Sequence, residues 1–375
     1  MQLCTMPTNT PLRCMLLCGA RPNFMKIASL VTAFDATGRI AHELVHTGQH
    51  YDENMSRLFF SELKLPEPNV NLGCGEGSHA RQTADILQRF EPVLAERRPD
   101  WLFVVGDVNS TLAGALVAAK LDVRVAHVEA GLRSFDRTMP EEINRVLTDR
   151  LSDLCFVTEP AGMDNLAREG VPPERCHLVG DTMADTLLRN LPAARRSDVL
   201  ARLGLKTGRY AVLTLHRPAN VDHEASLRNI LEGIASLEMR MPIVFPVHPR
   251  TAERIKTFGL LHRLQERVGL RRIEPLGYLD FLKLMADARL VLTDSGGIQE
   301  ETAILGVPCM TLRETTERPY TVESGANRLV KPVAESIHAA IESFFLSPPK
   351  PPPRSTLTDG RAGERIAAIL LAQDS

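Results

Sequence analysis

Short apolar runs alternate with longer helical patterns along almost the whole chain. In the first half, the runs at residues 14–18, 44–46, 102–105, 123–128, 154–157 and 177–179 are of strand length. Near-continuous apolar strands are those covered on both faces, as in a parallel sheet flanked by helices. Between them, residues 22–34, 52–63, 78–94, 110–121 and 140–151 read as helices. Pro22 and Pro140 stand where a first-turn proline is tolerated. This alternation is the signature of βαβ units.

A polar, glycine-containing stretch at residues 191–209 interrupts the rhythm and predicts a linker. Strands are then expected at residues 210–215, 243–247, 272–274, 290–293 and 309–311, with helices at 225–237, 279–286 and 297–305. Residues 348–353, all proline except Lys350, predict an extended connection, and residues 365–372 a closing helix. No repeat relates the halves in sequence. The fold class expected is α/β, with two Rossmann-like domains facing a cleft. Residues 1–190 form the first, residues 191–360 the second.

With 375 residues the chain is long enough for two cores. A net charge of −2 provides no basic field, so nucleic acid is not an expected partner. The seven cysteines are scattered, odd in number and without a CxxC pair, which predicts a reduced protein with neither disulfide framework nor zinc site. The amino terminus lacks the pattern of a signal peptide, and no apolar run reaches membrane-spanning length, so a cytoplasmic location is expected.

The chemistry gathers where strands end. Gly106-Asp107 and Glu129 each follow an apolar strand, at the sheet edge where open α/β folds bind ligands. Asp107 suits either a cap or a catalyst, and Asn109 a cap. Glu129 follows so apolar a run that its carboxylate is expected in a partly buried pocket, with Arg133 and Arg145 as counter-charges. Glu141 and Glu142 open a helix, where acids are favoured whatever the function, and either serves equally well. Arg21 and Lys26 flank a strand–helix turn that suits an anion, although the full GxGxxG fingerprint is absent. In the second half, His216 and His248 follow strands. Ser295-Gly296-Gly297 opens a helix with unhindered N–H groups for a phosphate, and Glu301 is placed for ribose hydroxyls. Phe281 offers a ring to a base, although such residues are usually core.

Taken together, Glu129-Ala130-Gly131-Leu132-Arg133, the 140–145 segment Pro-Glu-Glu-Ile-Asn-Arg, Asp294 to Glu301, and Thr315-Thr316-Glu317-Arg318-Pro319 resemble the non-hydrolysing UDP-N-acetylglucosamine 2-epimerase family. The resemblance covers nearly the whole chain. It implies a fold of the GT-B type, with residues 361–375 returning to the first domain and UDP gripped mainly by the second. Uridine and ribose would lie near Phe281 and Glu301, and the diphosphate near Ser295, Gly296, Gly297, His216, Arg21 and Arg318. Asp107, Glu129 and Glu141 would act as acid/base carboxylates, with Lys26 and Arg145 beside them. The family reaction needs neither NAD nor metal, and a homodimer supplying surface polysaccharide synthesis is expected. Rival readings are a hydrolysing epimerase, a glycosyltransferase of the same fold, a 2-epimerase of a 2,3-diacetamido uronate, and a UDP-sugar sensor.

The chain also departs from the family. Asn23 stands where a glutamate is common, and Pro218-Ala219-Asn220 replaces Arg-Glu after Arg217. Gln49-His50-Tyr51-Asp52 differs from the pattern of members activated by a second UDP-sugar, which puts such activation in doubt.

Overall fold

The computed structural model describes residues 10–48, 60–75, 77–347, 349 and 355–373. The 49–52 segment, most of the helix expected at 52–63, the prolines at 348 and 351–353 and the Arg21 side chain lie outside the described residues. The chain divides into two compact units, Met1–Arg189 with Ser355–Ser375, and Asn190–Arg354.

The first unit is a seven-stranded parallel sheet. Its strands are β1 (Leu12–Cys18), β2 (Ile40–His46), β3 (Val70–Asn71), β4 (Trp101–Val105), β5 (Arg124–Ala130), β6 (Leu154–Val157) and β7 (Cys176–Leu178), in the order β3-β2-β1-β4-β5-β6-β7. β4 is buried at every residue because helices cover both faces. Leu17, Leu102 and Val104 pack with Ile86, Phe90 and Leu94 of the helix His79–Arg97 into one contiguous core.

The second unit repeats the plan with six parallel strands. These are β8 (Ala211–Thr214), β9 (Ile243–Pro246), β10 (Leu270–Ile273), β11 (Leu290–Thr293), β12 (Cys309–Thr311) and β13 (Asn327–Leu329), ordered β10-β9-β8-β11-β12-β13. Both sheets therefore run outward in two directions from a central pair, β1/β4 in one and β8/β11 in the other. The order reverses at those pairs, and the crevice beyond their carboxyl ends is where doubly wound sheets bind ligands.

The expected α/β alternation is present, but details differ, among them the unanticipated helices Pro160–Arg168, Pro249–Thr257 and Ala334–Leu346. The segment expected as a linker at 191–209 is partly helical, since Thr182–Ala194 runs into it and Val199–Arg202 adds a turn. Leu200, Leu203 and Leu205 from it pack against the cluster of Tyr210 and Val212. Its apolar residues were too few for a periodicity, yet enough to dock. Strands β3 and β13 were not anticipated, being two and three residues long and flanked by polar groups.

The helix Ala362–Gln373 packs on the helix Arg21–Thr37 within the first unit. Asp185 anchors it, accepting from the backbone N–H of Ala362 at 3.0 Å and of Gly363 at 2.7 Å, and from the Ser29 hydroxyl at 2.7 Å. A Cβ on Gly363 would overlap Ser29, so the two helices approach this closely only through glycine.

Candidate active site

At the end of β1 the chain turns at Gly19 into the helix Arg21–Thr37. Asn23 holds this turn. Its Oδ1 accepts from Gly19 N at 3.1 Å and Ala20 N at 3.0 Å, while its Nδ2 donates to the Val105 carbonyl at 3.0 Å. A carboxylate could accept those two bonds but not donate the third. The departure to Asn23 thus ties the end of β1 to the end of β4.

One turn further along the helix, Lys26 is buried and forms an ion pair with buried Glu129. Glu129 sits in a register irregularity of β5, between Val128, paired to Phe156, and Ala130, paired to Val157. Its φ of 76° is left-handed, a strained conformation for a glutamate. The bulge re-aims the carboxylate out of strand alternation. Gly106 lies over the pair: its φ is 68°, and a Cβ there would come 2.9 Å from Lys26 Nζ.

Asp107 follows, partly exposed, and pairs with Arg145. Arg145 also holds Glu142 at 2.7 Å. Asn144 donates to the Asp107 carbonyl at 2.9 Å and to Asn109 Oδ1 at 3.2 Å, so the helix Pro140–Leu151 is stitched to the β4 turn. Glu141 and Glu142 differ in their surroundings. Glu142 is buried and accepts from Ser134 N (2.9 Å), Ser134 Oγ (2.9 Å) and Phe135 N (3.0 Å), which fixes the preceding loop. Glu141 is only half-buried.

The expectation of Arg133 as a counter-charge of Glu129 is corrected. Lys26, which the resemblance put beside the carboxylates, pairs with Glu129, whereas Arg133 turns to Asp149 at 2.7 Å and Glu169 at 2.6 Å. Arg145 pairs with Asp107 and Glu142. Strand-end spacing gave no indication of Lys26, because the contact is made by a helix about a hundred residues earlier.

In the second unit, Asp294 follows β11 and is fully buried. It accepts from His216 N at 3.1 Å, Arg217 N at 3.0 Å and Asn220 Nδ2 at 3.2 Å, and lies 3.0 Å from His216 Nδ1. Burial pushes its carboxyl up, but the His216 bond and charge, with the Arg217 and Asn220 bonds, outweigh this and hold it below the usual range. His216 is thereby oriented through Nδ1 with 40% of its side chain exposed. Asn220, in the segment that departs from the family, also donates to the Leu312 carbonyl at 3.0 Å. His248 instead caps the helix Pro249–Thr257, accepting from Arg250 N at 3.2 Å, and lies 5.7 Å from His216 ring to ring.

Ser295 caps the helix Gly296–Leu305, with Gly296 and Gly297 in its first turn. A Cβ on Gly296 would overlap Glu317 Oε1, so glycine here allows the close approach of the ion-paired Glu317. Burial raises the Glu317 carboxyl, yet Arg313, Arg217 and Arg318 prevail and hold it at about 2. Arg318 is buried and pairs with Glu300 at 2.9 Å. Glu301 is 8% exposed on the same helix. Phe281 packs partly into the core beside Tyr210 and Val212, so only part of its ring is open to a ligand. Buried Gln299 was missed by sequence reasoning. It accepts from Thr316 at 2.7 Å and Asn327 at 3.1 Å, cross-linking the helix to the 315–319 motif.

Among the described residues no group of three or more His, Cys, Asp or Glu side chains is arranged to hold a metal ion, and no helix is long and apolar enough to cross a membrane. Each unit's polar side chains instead converge on the carboxyl ends of its central strands. Basic groups lie beside helix N-termini, which suits an anionic ligand.

Residues 32–371 match the family described as UDP-N-acetylglucosamine 2-epimerase. The UDP-N-acetylglucosamine 2-epimerase of Methanocaldococcus jannaschii is 46% identical over 95% of this chain and 98% of its own. The UDP-2,3-diacetamido-2,3-dideoxy-D-glucuronate 2-epimerase of Pseudomonas aeruginosa is 40% identical over 96% and 99%. A crystal structure of the M. jannaschii enzyme in complex with UDP-GlcNAc and UDP superposes with a TM-score of 0.88 over 96% of this chain and all of that one. The fold is accordingly two Rossmann-like α/β domains of the GT-B type. The chain belongs to the UDP-N-acetylglucosamine 2-epimerase family.

Proposed function

We propose that this chain interconverts UDP-N-acetylglucosamine and UDP-N-acetylmannosamine without hydrolysis. The observation that carries the reading is the buried Lys26–Glu129 pair beside Asp107–Arg145, on strand-end turns of a chain so similar to 2-epimerases. The proton on the sugar C2 is weakly acidic, so its removal alone is slow. A carboxylate takes that proton as the C1–O bond breaks and its electron pair leaves with UDP, giving 2-acetamidoglucal. The UDP oxygen then returns to C1 while a proton is delivered to the opposite face of C2. Acid–base help contributes roughly 10²–10⁴-fold, so stabilisation of the departing diphosphate is also required.

In this reading Asp107, Glu129 and Glu141 move protons, with Lys26 and Arg145 setting their charge. His216, Ser295, Gly296, Gly297, Arg318 and Arg21 meet the diphosphate, and Glu301 and Phe281 the nucleoside. What supports the division is that Glu129 and Asp107 pair with Lys26 and Arg145 in the first unit, whereas the second unit presents an oriented histidine and a glycine-opened helix. The domain boundary belongs at the two compact units, with 355–373 in the first. The test is incubation with UDP-N-acetylglucosamine in deuterated water, followed by NMR. Deuterium at C2 with a gluco/manno mixture is expected, and exchange without free UDP accumulating; no exchange overturns it.

The 40% identity to the diacetamido-glucuronate epimerase favours a second reading, the same reaction on that uronate. A higher kcat/KM on the uronate than on UDP-N-acetylglucosamine would select it. The reading also has the enzyme act in the cytoplasm as a homodimer. The six described cysteines are thiols, in keeping with a reducing compartment. Ile143 and Leu147, i,i+4 on one helix, are each 46% exposed and suit an apolar contact between copies, which light scattering tests.

A further inference from the structure

Behind the turns that carry Asp107 and Glu129 lies a polar cluster to which the proposed reaction assigns nothing. His127 on β5 is fully buried. Its Nε2 lies 2.8 Å from the Gly106 carbonyl oxygen, and its Nδ1 lies 2.7 Å from Asp149 Oδ1. A carbonyl oxygen can only accept, so Nε2 carries a proton. Asp149 Oδ2 also accepts from Gly131 N at 3.1 Å and sits 2.7 Å from the Arg133 guanidinium, whose charge favours the ionised carboxylate. Burial pushes its carboxyl up, but the His127 and Arg133 contacts overcome that and hold it below the usual range. A carboxylate is itself an acceptor, so Nδ1 carries a proton too.

We infer that His127 is a buried imidazolium that, with Asp149, positions the two strand-end turns presenting Asp107 and Glu129. One bond of the pair ends on Gly106, the residue before Asp107. Another ends on Gly131, two residues beyond Glu129. Both glycines have left-handed φ, 68° and 81°, so the pair grips the two places where the backbone is least constrained by its strands. The charges around it balance. His127 and Arg133 are the cations and Asp149 and Glu169 the anions; the thiols of Cys155 and Cys176 on β6 and β7 lie beside them, Arg150 donates to the Glu169 carbonyl, Glu174 and Arg175 act on Cys176, and the Lys26–Glu129 pair lies beyond Gly106. The hydrogen bond with Cys176 and burial both push the Cys155 thiol up, so it stays neutral. Removing His127 frees the Gly106 turn, and removing Asp149 frees the Gly131 turn and leaves the buried imidazolium without its anion.

The inference rests on the epimerase reading for its kinetic consequence and not for its spectroscopic one. Nitrogen-15 histidine NMR of the intact chain reads the charge directly, with the His127 signal assigned by its loss in His127→Gln. Both ring nitrogens are expected to carry protons at pH 7, since each faces an acceptor. A neutral-imidazole signal at pH 7 overturns the inference. In the C2 exchange assay, Asp149→Asn is expected to lower kcat about 10²-fold, the cost of a small misplacement of reacting groups. KM and UDP affinity should stay within about twofold, because uniform binding is untouched. A rise in KM with kcat preserved overturns it. His127→Gln can still donate to Gly106, so it should exceed His127→Leu in kcat by about tenfold; equal rates overturn the assignment. If wild-type protein fails to exchange C2 while the imidazolium is observed, the substrate reading falls and the charge assignment stands.

Discussion

Asp107 and Asp294 occupy the same place in two copies of one topology. Each follows the strand that neighbours the first strand of its sheet, at the point where the strand order reverses. Asp107 is partly exposed and pairs with Arg145. Asp294 is fully buried and gathers the backbone and side chains of His216, Arg217 and Asn220. One position therefore yields a partly exposed, ion-paired carboxylate in the first unit, and a buried carboxylate that organises a turn in the second. Burial and the number of donors make the difference, not residue type.

The comparison can be broken at several points. Glu129→Gln should lower C2 exchange by ~10³-fold, within the range of lost acid–base catalysis, while calorimetric UDP affinity stays within about tenfold. A larger affinity loss would make Glu129 a binding residue. Asp294→Ala should destabilise the chain by about 3–5 kcal/mol in urea unfolding, since it strands several buried donors. Should it unfold no earlier than wild type, the contrast with Asp107 disappears.

Glu317 sharpens the same contrast through pH. Its folded carboxyl is held at about 2 against an ordinary 4.5, so its contribution is complete above about pH 4.5 and lost as pH falls toward 2. The linkage is of order 3 kcal/mol. Thermal scans of Glu317→Gln should therefore lie below wild type at pH 7 and converge on it in acid; a constant offset contradicts the charge argument. Asp107→Asn should cost about 10²-fold in turnover yet less than about 1 kcal/mol in stability, because a partly exposed pair contributes little. The smallest effects separate Glu141 from Glu142. Glu142→Gln should cost about 1–3 kcal/mol by weakening the bonds to Ser134 and Phe135, whereas Glu141→Gln should leave melting unchanged and lower turnover. Reversal of that pattern would exchange their roles.

Much of this was legible along the chain. The strand at residues 154–157, the strand at 290–293 and the helix at 140–151 have the bounds that apolar runs and a first-turn proline predict. Glycines after a strand announced the Gly296–Gly297 helix start, because close packing favours them there. The helix Val199–Arg202 was not legible, since a single turn carries no period. Neither was the use of Asn23, whose amide is needed only because the Val105 carbonyl lies within reach.

The amino-acid sequence by itself determined the α/β alternation, the two-domain plan and the identity of the strand-end acids, all of which depend on local periodicity and short motifs. Tertiary structure alone decided the partners: Asp149 and Glu169 rather than Glu129 for Arg133, Glu142 for the Ser134 loop, His127 and Asp149 behind both turns. The physical reason is range. Backbone preference acts over a few residues, whereas the charge state of a buried carboxylate depends on whichever side chain the fold brings within about 3 Å, and chain separation carries no trace of that.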